Sequence, residues 1–196
     1  TATDAYNVAV GYSAGVAVTT GVRNTLIGGL AGDSLTNGDD NIALGYNALS
    51  TEDTGSKSIA IGFEALKTQN NAASNYNVAV GHAAGTAVTT GIQNTLIGGL
   101  AGDAITTASN NTAVGYNALV ANTTGARNTG IGDTALAANT TGDNNVALGR
   151  GTLDANTTAD NNTAIGQAAL GANTTGANNT AVGRTALLAN TTGYSN

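Results

Sequence analysis

The chain has 196 residues with a net charge of -6, 28 glycines, and no Cys, Met, Pro or Trp. Only 9% of residues are charged, against roughly 25% in ordinary domains, and the six Lys and Arg stand singly, which excludes the basic patch that nucleic acid or an anionic membrane requires. The lack of cysteine removes disulfides and thiolate chemistry, no apolar run reaches the ~18 residues of a membrane span, and with 4% aromatic residues the interior must be thin and filled by Ala, Val, Ile and Leu.

The opening Thr1-Ala-Thr-Asp has neither a charged n-region nor an apolar h-region, so no secretion signal is expected there. Because the chain starts and stops partway through a repeat, a piece of a longer fibre is expected. The repeat begins at once. A phrase Asn-x-Ala-aliphatic-Gly closes on a glycine at Gly11, Gly28, Gly45, Gly62, Gly81, Gly98, Gly115, Gly132, Gly149, Gly166 and Gly183, spaced by 17 residues at nine steps and 19 at one. Three positions before each glycine the residue is always Val, Ile or Thr, and one before it is always Val, Ile or Leu. This β-branched alternation predicts a short strand in every copy.

A second short strand is expected around the Ala-Leu pair that follows, as at Ala118-Leu119, Ala135-Leu136 and Ala186-Leu187. The Thr-Thr-Gly tracts, such as Thr123-Thr-Gly125, break any helical period and form the opposite corner. Seventeen residues cannot hold two helices and their turns. Each unit is therefore one coil of an all-β, parallel β-solenoid (β-roll) of eleven coils, a single repeat domain over 1–196 in which equivalent strands stack about 4.8 Å apart.

Along the chain, the first block, Tyr6 to Asp33, recurs as Tyr76 to Asp103 with 23 of 28 positions identical, so segments were copied in blocks as well as singly. Between the blocks lies the 19-residue step, whose Gln69-Asn-Asn-Ala-Ala-Ser-Asn75 reads as a two-residue bulge in one loop. Stacked coils turn identical positions into columns. Asn begins the phrase at Asn7, Asn24, Asn41, Asn77, Asn94, Asn111, Asn128, Asn145, Asn162 and Asn179, with Ser58 the exception, and is expected to form a hydrogen-bonded amide ladder. The glycines that close the phrase are expected to supply positive φ at a corner or to let coils approach closely.

Chemistry is sought next. His82 is the sole imidazole and occupies a variable position, so no Ser-His-Asp set can be built around it. Asp39-Asp40 and Glu52-Asp53 are the adjacent acidic pairs, expected to be solvated turn residues rather than an acid/base or calcium site. Gly28-Gly29-Leu-Ala-Gly32 is a repeat corner and not a phosphate loop. Asn122, Asn139, Asn156, Asn173 and Asn190 each start a formal glycosylation acceptor, which the repeat itself generates. Neither catalytic residues, metal ligands nor a cofactor are predicted. The column after each glycine is the least uniform and holds most aromatics. Tyr12, Tyr46, Phe63, His82 and Tyr116 are candidates for contact with a glycan or another chain, or simple covers for coil edges.

The phrase [N/S]-x-A-[VIL]-G-x-x-A resembles the head repeats of trimeric autotransporter adhesins. The fuller form, as in Asn111-Thr-Ala-Val-Gly-Tyr-Asn-Ala-Leu-Val-Ala-Asn-Thr-Thr-Gly125, is similar to repeats of phage-type tail fibres and bacterial surface proteins that end in a self-cleaving chaperone domain. The unit here is longer than the adhesin head unit, and no stalk, anchor or chaperone segment is present in this sequence. The resemblance implies a left-handed roll, a homotrimer with further end-to-end assembly, and display outside the cell, on a cell surface or a virion. A thin coil that buries little surface alone supports trimerisation independently. The expected function is a structural fibre or adhesin module that meets a surface receptor or glycan, with no membrane insertion and no nucleic acid. An ice-binding solenoid is the alternative, weakened by adjacent Thr pairs such as Thr19-Thr20 where a strand face needs Thr-x-Thr. A glycan-active enzyme ranks third, for want of a site.

Overall fold

The structure, a computed structural model, describes residues 5–196; the opening stretch 1–4, read above for a secretion signal, lies outside them. Eleven strands of three residues follow one another: β1 (Val8–Val10), β2 (Thr25–Ile27), β3 (Ile42–Leu44), β4 (Ile59–Ile61), β5 (Val78–Val80), β6 (Thr95–Ile97), β7 (Thr112–Val114), β8 (Thr129–Ile131), β9 (Val146–Leu148), β10 (Thr163–Ile165) and β11 (Thr180–Val182). They form one parallel sheet in chain order. Each residue pairs with its equivalent 17 positions on, except that Ile59 faces Val78 across the long step. The loop at 69–75 therefore absorbs two extra residues without disturbing the register. Ten steps of about 4.8 Å make a rod on the order of 50 Å long.

The expected second strand is absent. Two residues after each corner glycine, and again four after, the backbone is left-handed, as at Asn117 (φ 55°) and Leu119 (φ 53°). A β-strand cannot contain such residues. This stretch still hydrogen-bonds from coil to coil, with Asn117 N donating to Gly99 O and Leu119 N to Ala135 O. It is a stacked turn and not a strand. The cost of placing a non-glycine residue in this conformation is offset by those inter-coil bonds and by burial of the leucine.

The corner glycines have φ between 122° and 143°. At Gly115 an added Cβ would lie 2.5 Å from Gly132 O of the next coil. Both expected reasons for glycine, unusual φ and close approach of coils, thus act together.

The strand places its small residue inward. The central residues are buried in β2 to β11 and are mostly Ala, with Leu26 and Leu96 in β2 and β6 and Gly130 in β8, while the Val, Ile, Leu and Thr residues on either side face outward. The interior is completed by two alternating packings. Where the residue four after the corner is Leu, at Leu49, Leu66, Leu119, Leu136, Leu153, Leu170 and Leu187, the residue three further on is Glu, Gln or Asn. Where it is glycine, at Gly15, Gly32, Gly85 and Gly102, that residue is Val18, Leu35, Val88 or Ile105. In the glycine blocks Leu26 and Leu96 take the vacated space. A Cβ on Gly15 would be 2.6 Å from Leu26 Cδ1 and one on Gly102 2.7 Å from Leu96 Cδ2. The duplicated block is therefore a packing unit whose members were copied together.

Candidate functional site

The Asn column at the start of the phrase is a buried polar spine. From Asn7 through Asn179, each side-chain Nδ2 donates to the backbone carbonyl 14 residues on, at 2.7–3.0 Å. Each Oδ1 accepts the backbone N–H of the equivalent residue in the next coil, for example Asn145 N to Asn128 Oδ1 at 2.9 Å. The amide thus satisfies main-chain groups that a non-strand corner would leave unpaired. Nδ2 to Oδ1 bonds along the column occur from Asn94 on and are longer, 3.2–3.3 Å, except at the last member, Asn196 to Asn179, at 2.9 Å.

A second amide ladder was not anticipated from sequence. Asn139, Asn156 and Asn173 donate Nδ2 to the Oδ1 of the preceding coil at 2.8, 2.9 and 3.1 Å, and Asn190 continues the column. These are the residues of the formal glycosylation acceptors. Asn122, Asn139, Asn156 and Asn173 are fully buried with their Nδ2 engaged, so the folded chain presents none of these four amides to solvent. The missed signal was the 17-residue recurrence of a buriable amide beside Leu.

At Ser58 the first ladder loses its amide, and the neighbouring column supplies one. Gln69 Nε2 donates to Ser58 Oγ at 2.8 Å, while its Oε1 accepts from Asn77 Nδ2 at 2.8 Å. Beside it sits Glu52. The expectation of a solvated pair at Glu52-Asp53 is corrected at its first member: Asp53 is exposed, but Glu52 is 0% exposed. It replaces the interior Asn of other coils, and its carboxylate accepts from Gly55 N, Gln69 Nε2, Asn75 Nδ2 and Asn71 N. The Asp39-Asp40 pair is partly exposed. Asp39 accepts from Val22 N, and Asp40 pairs with Arg23 at 2.6 Å, which holds its carboxyl below the usual carboxylate range.

The variable column after the corners is exposed, and its aromatics converge. Tyr46 and Phe63 stack at 5.8 Å between centroids, and Phe63 and His82 at 5.0 Å, with planes within 17°. Tyr46 also leans over Gly29, and Tyr116 over Gly99: a Cβ at those glycines would sit 3.4 and 3.5 Å from the rings. Over coils two to seven the column reads Gly29, Tyr46, Phe63, His82, Gly99 and Tyr116, a ridge of three stacked rings flanked by glycines with Tyr116 over the second glycine. Tyr12, 81% exposed, stands beyond it. On the other side of the strands Lys57 Nζ donates to Tyr76 Oη at 3.1 Å, drawing the phenol below its ordinary value. Across coils eight to ten, Thr134, Arg150, Asp154 and Gln167 surround a shallow cleft of about 260 Å³, opened by Gly151. Burial raises the Asp154 carboxyl there.

Among the described residues no group of three His, Cys, Asp or Glu side chains comes together, and no helix is long and apolar enough to cross a membrane. The one-sheet stack of 17-residue coils defines this chain as a β-solenoid repeat protein. No family model, curated protein or solved structure matches it.

Proposed function

We propose that this chain is a structural fibre module that associates with copies of itself, as a homotrimer, and displays its aromatic ridge to a surface or glycan outside the cell. The observation that carries this reading is the outer face of the sheet. Its two outward positions per strand are filled by Val, Ile, Leu or Thr in all eleven coils, without one charged residue. Several in the interior coils are exposed, including Leu44 at 40% and Leu148 at 43%. A continuous uncharged strip, aliphatic throughout its second outward column and Thr or aliphatic in its first, is an association surface by its chemistry. Its repeat of about 4.8 Å further selects the partner, because only a surface with the same spacing meshes with it along the whole length, and a second copy has that spacing.

The test is the mass in solution by sedimentation equilibrium, for the wild-type chain and for Ile97→Lys combined with Val114→Lys. The wild type should sediment as three copies and the variant as one, with unchanged circular dichroism. A wild-type chain that stays monomeric at tens of micromolar overturns the proposal.

A second reading has one specific observation in its favour. Thr25, Thr95, Thr112, Thr129, Thr163 and Thr180 all occupy the first outward position of their strands. A rank of hydroxyls and methyls at regular spacing suits ordered water, although each Thr is followed at the second outward position by an aliphatic residue. Thermal hysteresis of the purified chain decides it; none at millimolar concentration removes the ice-binding alternative.

A further inference from the structure

The second position after each corner glycine is left-handed in every coil. Coils seven, eight and eleven carry Asn117, Thr134 and Thr185 there, whereas coils nine and ten carry Gly151 and Ala168. The backbone does not demand glycine at 151, because Thr134 and Ala168 hold the same conformation at φ 55° and Gly151 has φ 60°. Crowding does not demand it either. A Cβ at Gly151 would meet only Asp154 Oδ2, at 3.7 Å, which is an ordinary contact. What the missing side chain leaves is space: the cleft of about 260 Å³ that spans coils eight to ten.

The walls of this cleft hold opposite charges that do not neutralise each other. Arg150 and Asp154 both line it, yet the ion pairs among the described residues include neither. The neighbours of Asp154 in its own column, Ala137 and Gly171, have no side-chain group to hydrogen-bond it. Burial raises its carboxyl, opposed only by the backbone N–H groups of Asp154 and Ala155. Gln167 adds an amide that can both donate and accept. Thr134 Oγ1 spends its hydrogen on Asp133 O at 2.8 Å, so towards a ligand it can only accept. The remaining lining, Gly151 and Ala168, has no polar side chain.

We propose that this cleft binds one pyranose ring of a neutral sugar, with its C–H face on Gly151 and Ala168 and its hydroxyls on Arg150, Asp154 and Gln167. A hydroxyl both donates and accepts, so the hydroxyls of one ring serve an obligate acceptor and an obligate donor that stand apart. Asp154 takes hydroxyl hydrogens, and Arg150 donates to the oxygens. Volume limits the occupant, since about 260 Å³ lies below the roughly 300–1,000 Å³ of sites that hold drug-sized ligands. Charge limits it too: one guanidinium and one carboxylate sum to zero, which favours neither an acidic nor a basic sugar. The site is complete within one chain and lies apart from the three stacked rings, so its failure would leave self-association and the aromatic ridge untouched.

The experiment titrates the full chain with the methyl pyranosides of glucose, galactose and mannose and follows amide chemical shifts. At least one of them should shift the Gly151, Asp154 and Ala168 amides with saturation, at a Kd on the order of 1 mM for a single ring in an open cleft. Gly151→Asn supplies the residue that coil seven has at this position, in a conformation that Asn tolerates. It should fill the cleft and weaken binding at least tenfold with unchanged circular dichroism. Asp154→Ala, which copies Ala137 of coil eight, should weaken binding as much, and Asn178→Ser, on the other side of the strands, should not. If either cleft variant fails to fold, the location of the wild-type shifts still decides. No saturable shift with any of the three glycosides overturns the proposal, as do shifts that survive both cleft variants. Shifts confined to Tyr46, Phe63 and His82 overturn it by placing the sugar on the ridge. A response to free zwitterionic glycine but to no glycoside overturns the sugar assignment.

Discussion

The side chain of Asn128 shows how one residue holds two coils. It gives its Nδ2 to Gly142 O at 2.7 Å and takes Asn145 N at 2.9 Å, both buried. Asn128→Ala leaves a buried donor and a buried acceptor without partners, which costs about 2–4 kcal/mol. Because repeat arrays lose global two-state behaviour, the measurement is native-state hydrogen exchange at Asn145, which should accelerate most. Asp103 gives the opposite sign. Burial raises its carboxyl above the ordinary value, opposed by a hydrogen bond from Thr86. A raised folded value means that this group's contribution to stability falls as pH rises from the ordinary carboxylate value through the folded one. Asp103→Asn, which keeps an acceptor for Thr86, should be more stable than wild type at pH 7. The gain is below about 1 kcal/mol because the site is partly solvated, and it should disappear below about pH 4. Melting curves at the two pH values check it.

At the scale of the element, most strands are inverted relative to a common intuition about hydrophobic size, with a small Ala or Gly inside and the bulkier residues outside; β2 and β6, with Leu26 and Leu96 at the centre, are the exceptions. In β9 the buried centre is Ala147, while Leu148 is 43% exposed. Adding volume at the centre should cost more than removing it from the rim. Ala147→Val is expected to destabilise by about 1–3 kcal/mol through overpacking. Leu148→Thr should leave the stability of a single chain within about 0.5 kcal/mol and weaken self-association instead. Denaturant unfolding at low protein concentration, alongside sedimentation, separates the two effects. The alternation of faces along these strands was legible in the sequence, but which face lies inside was not. The same period-2 pattern fits either assignment, and the turn that closes the coil makes the choice. The stretch around Ala118-Leu119 suits a strand by its apolar pair, but its backbone is left-handed at Asn117 and Leu119; Asn, and the glycines at the equivalent positions Gly15, Gly32, Gly85, Gly102 and Gly151, are the residue types that favour this conformation, whereas the leucine column hides it.

For the molecule as a whole, stability is approximately the sum of coils and their nearest-neighbour interfaces. Removing residues 128–144 joins Arg127 to Asn145 in correct phase, so Asn145 N then meets Asn111 Oδ1. The shortened chain should fold, with a maximum dimension in X-ray scattering reduced by about 4.8 Å, and an out-of-phase deletion of eight residues should not. Sequence by itself determined the period, the parallel stacking, the corner glycines and the first Asn column, because a translational repeat forces every residue to face its own equivalent. Only the tertiary structure decided that Ala faces inward, that Leu26 and Leu96 fill the space of absent leucines, that the Asn-Thr-Thr amides are a second ladder, and that Glu52 is buried. Each of these depends on how the coil closes across its interior, where residues distant in the repeat meet. A column shows only what lies above and below it.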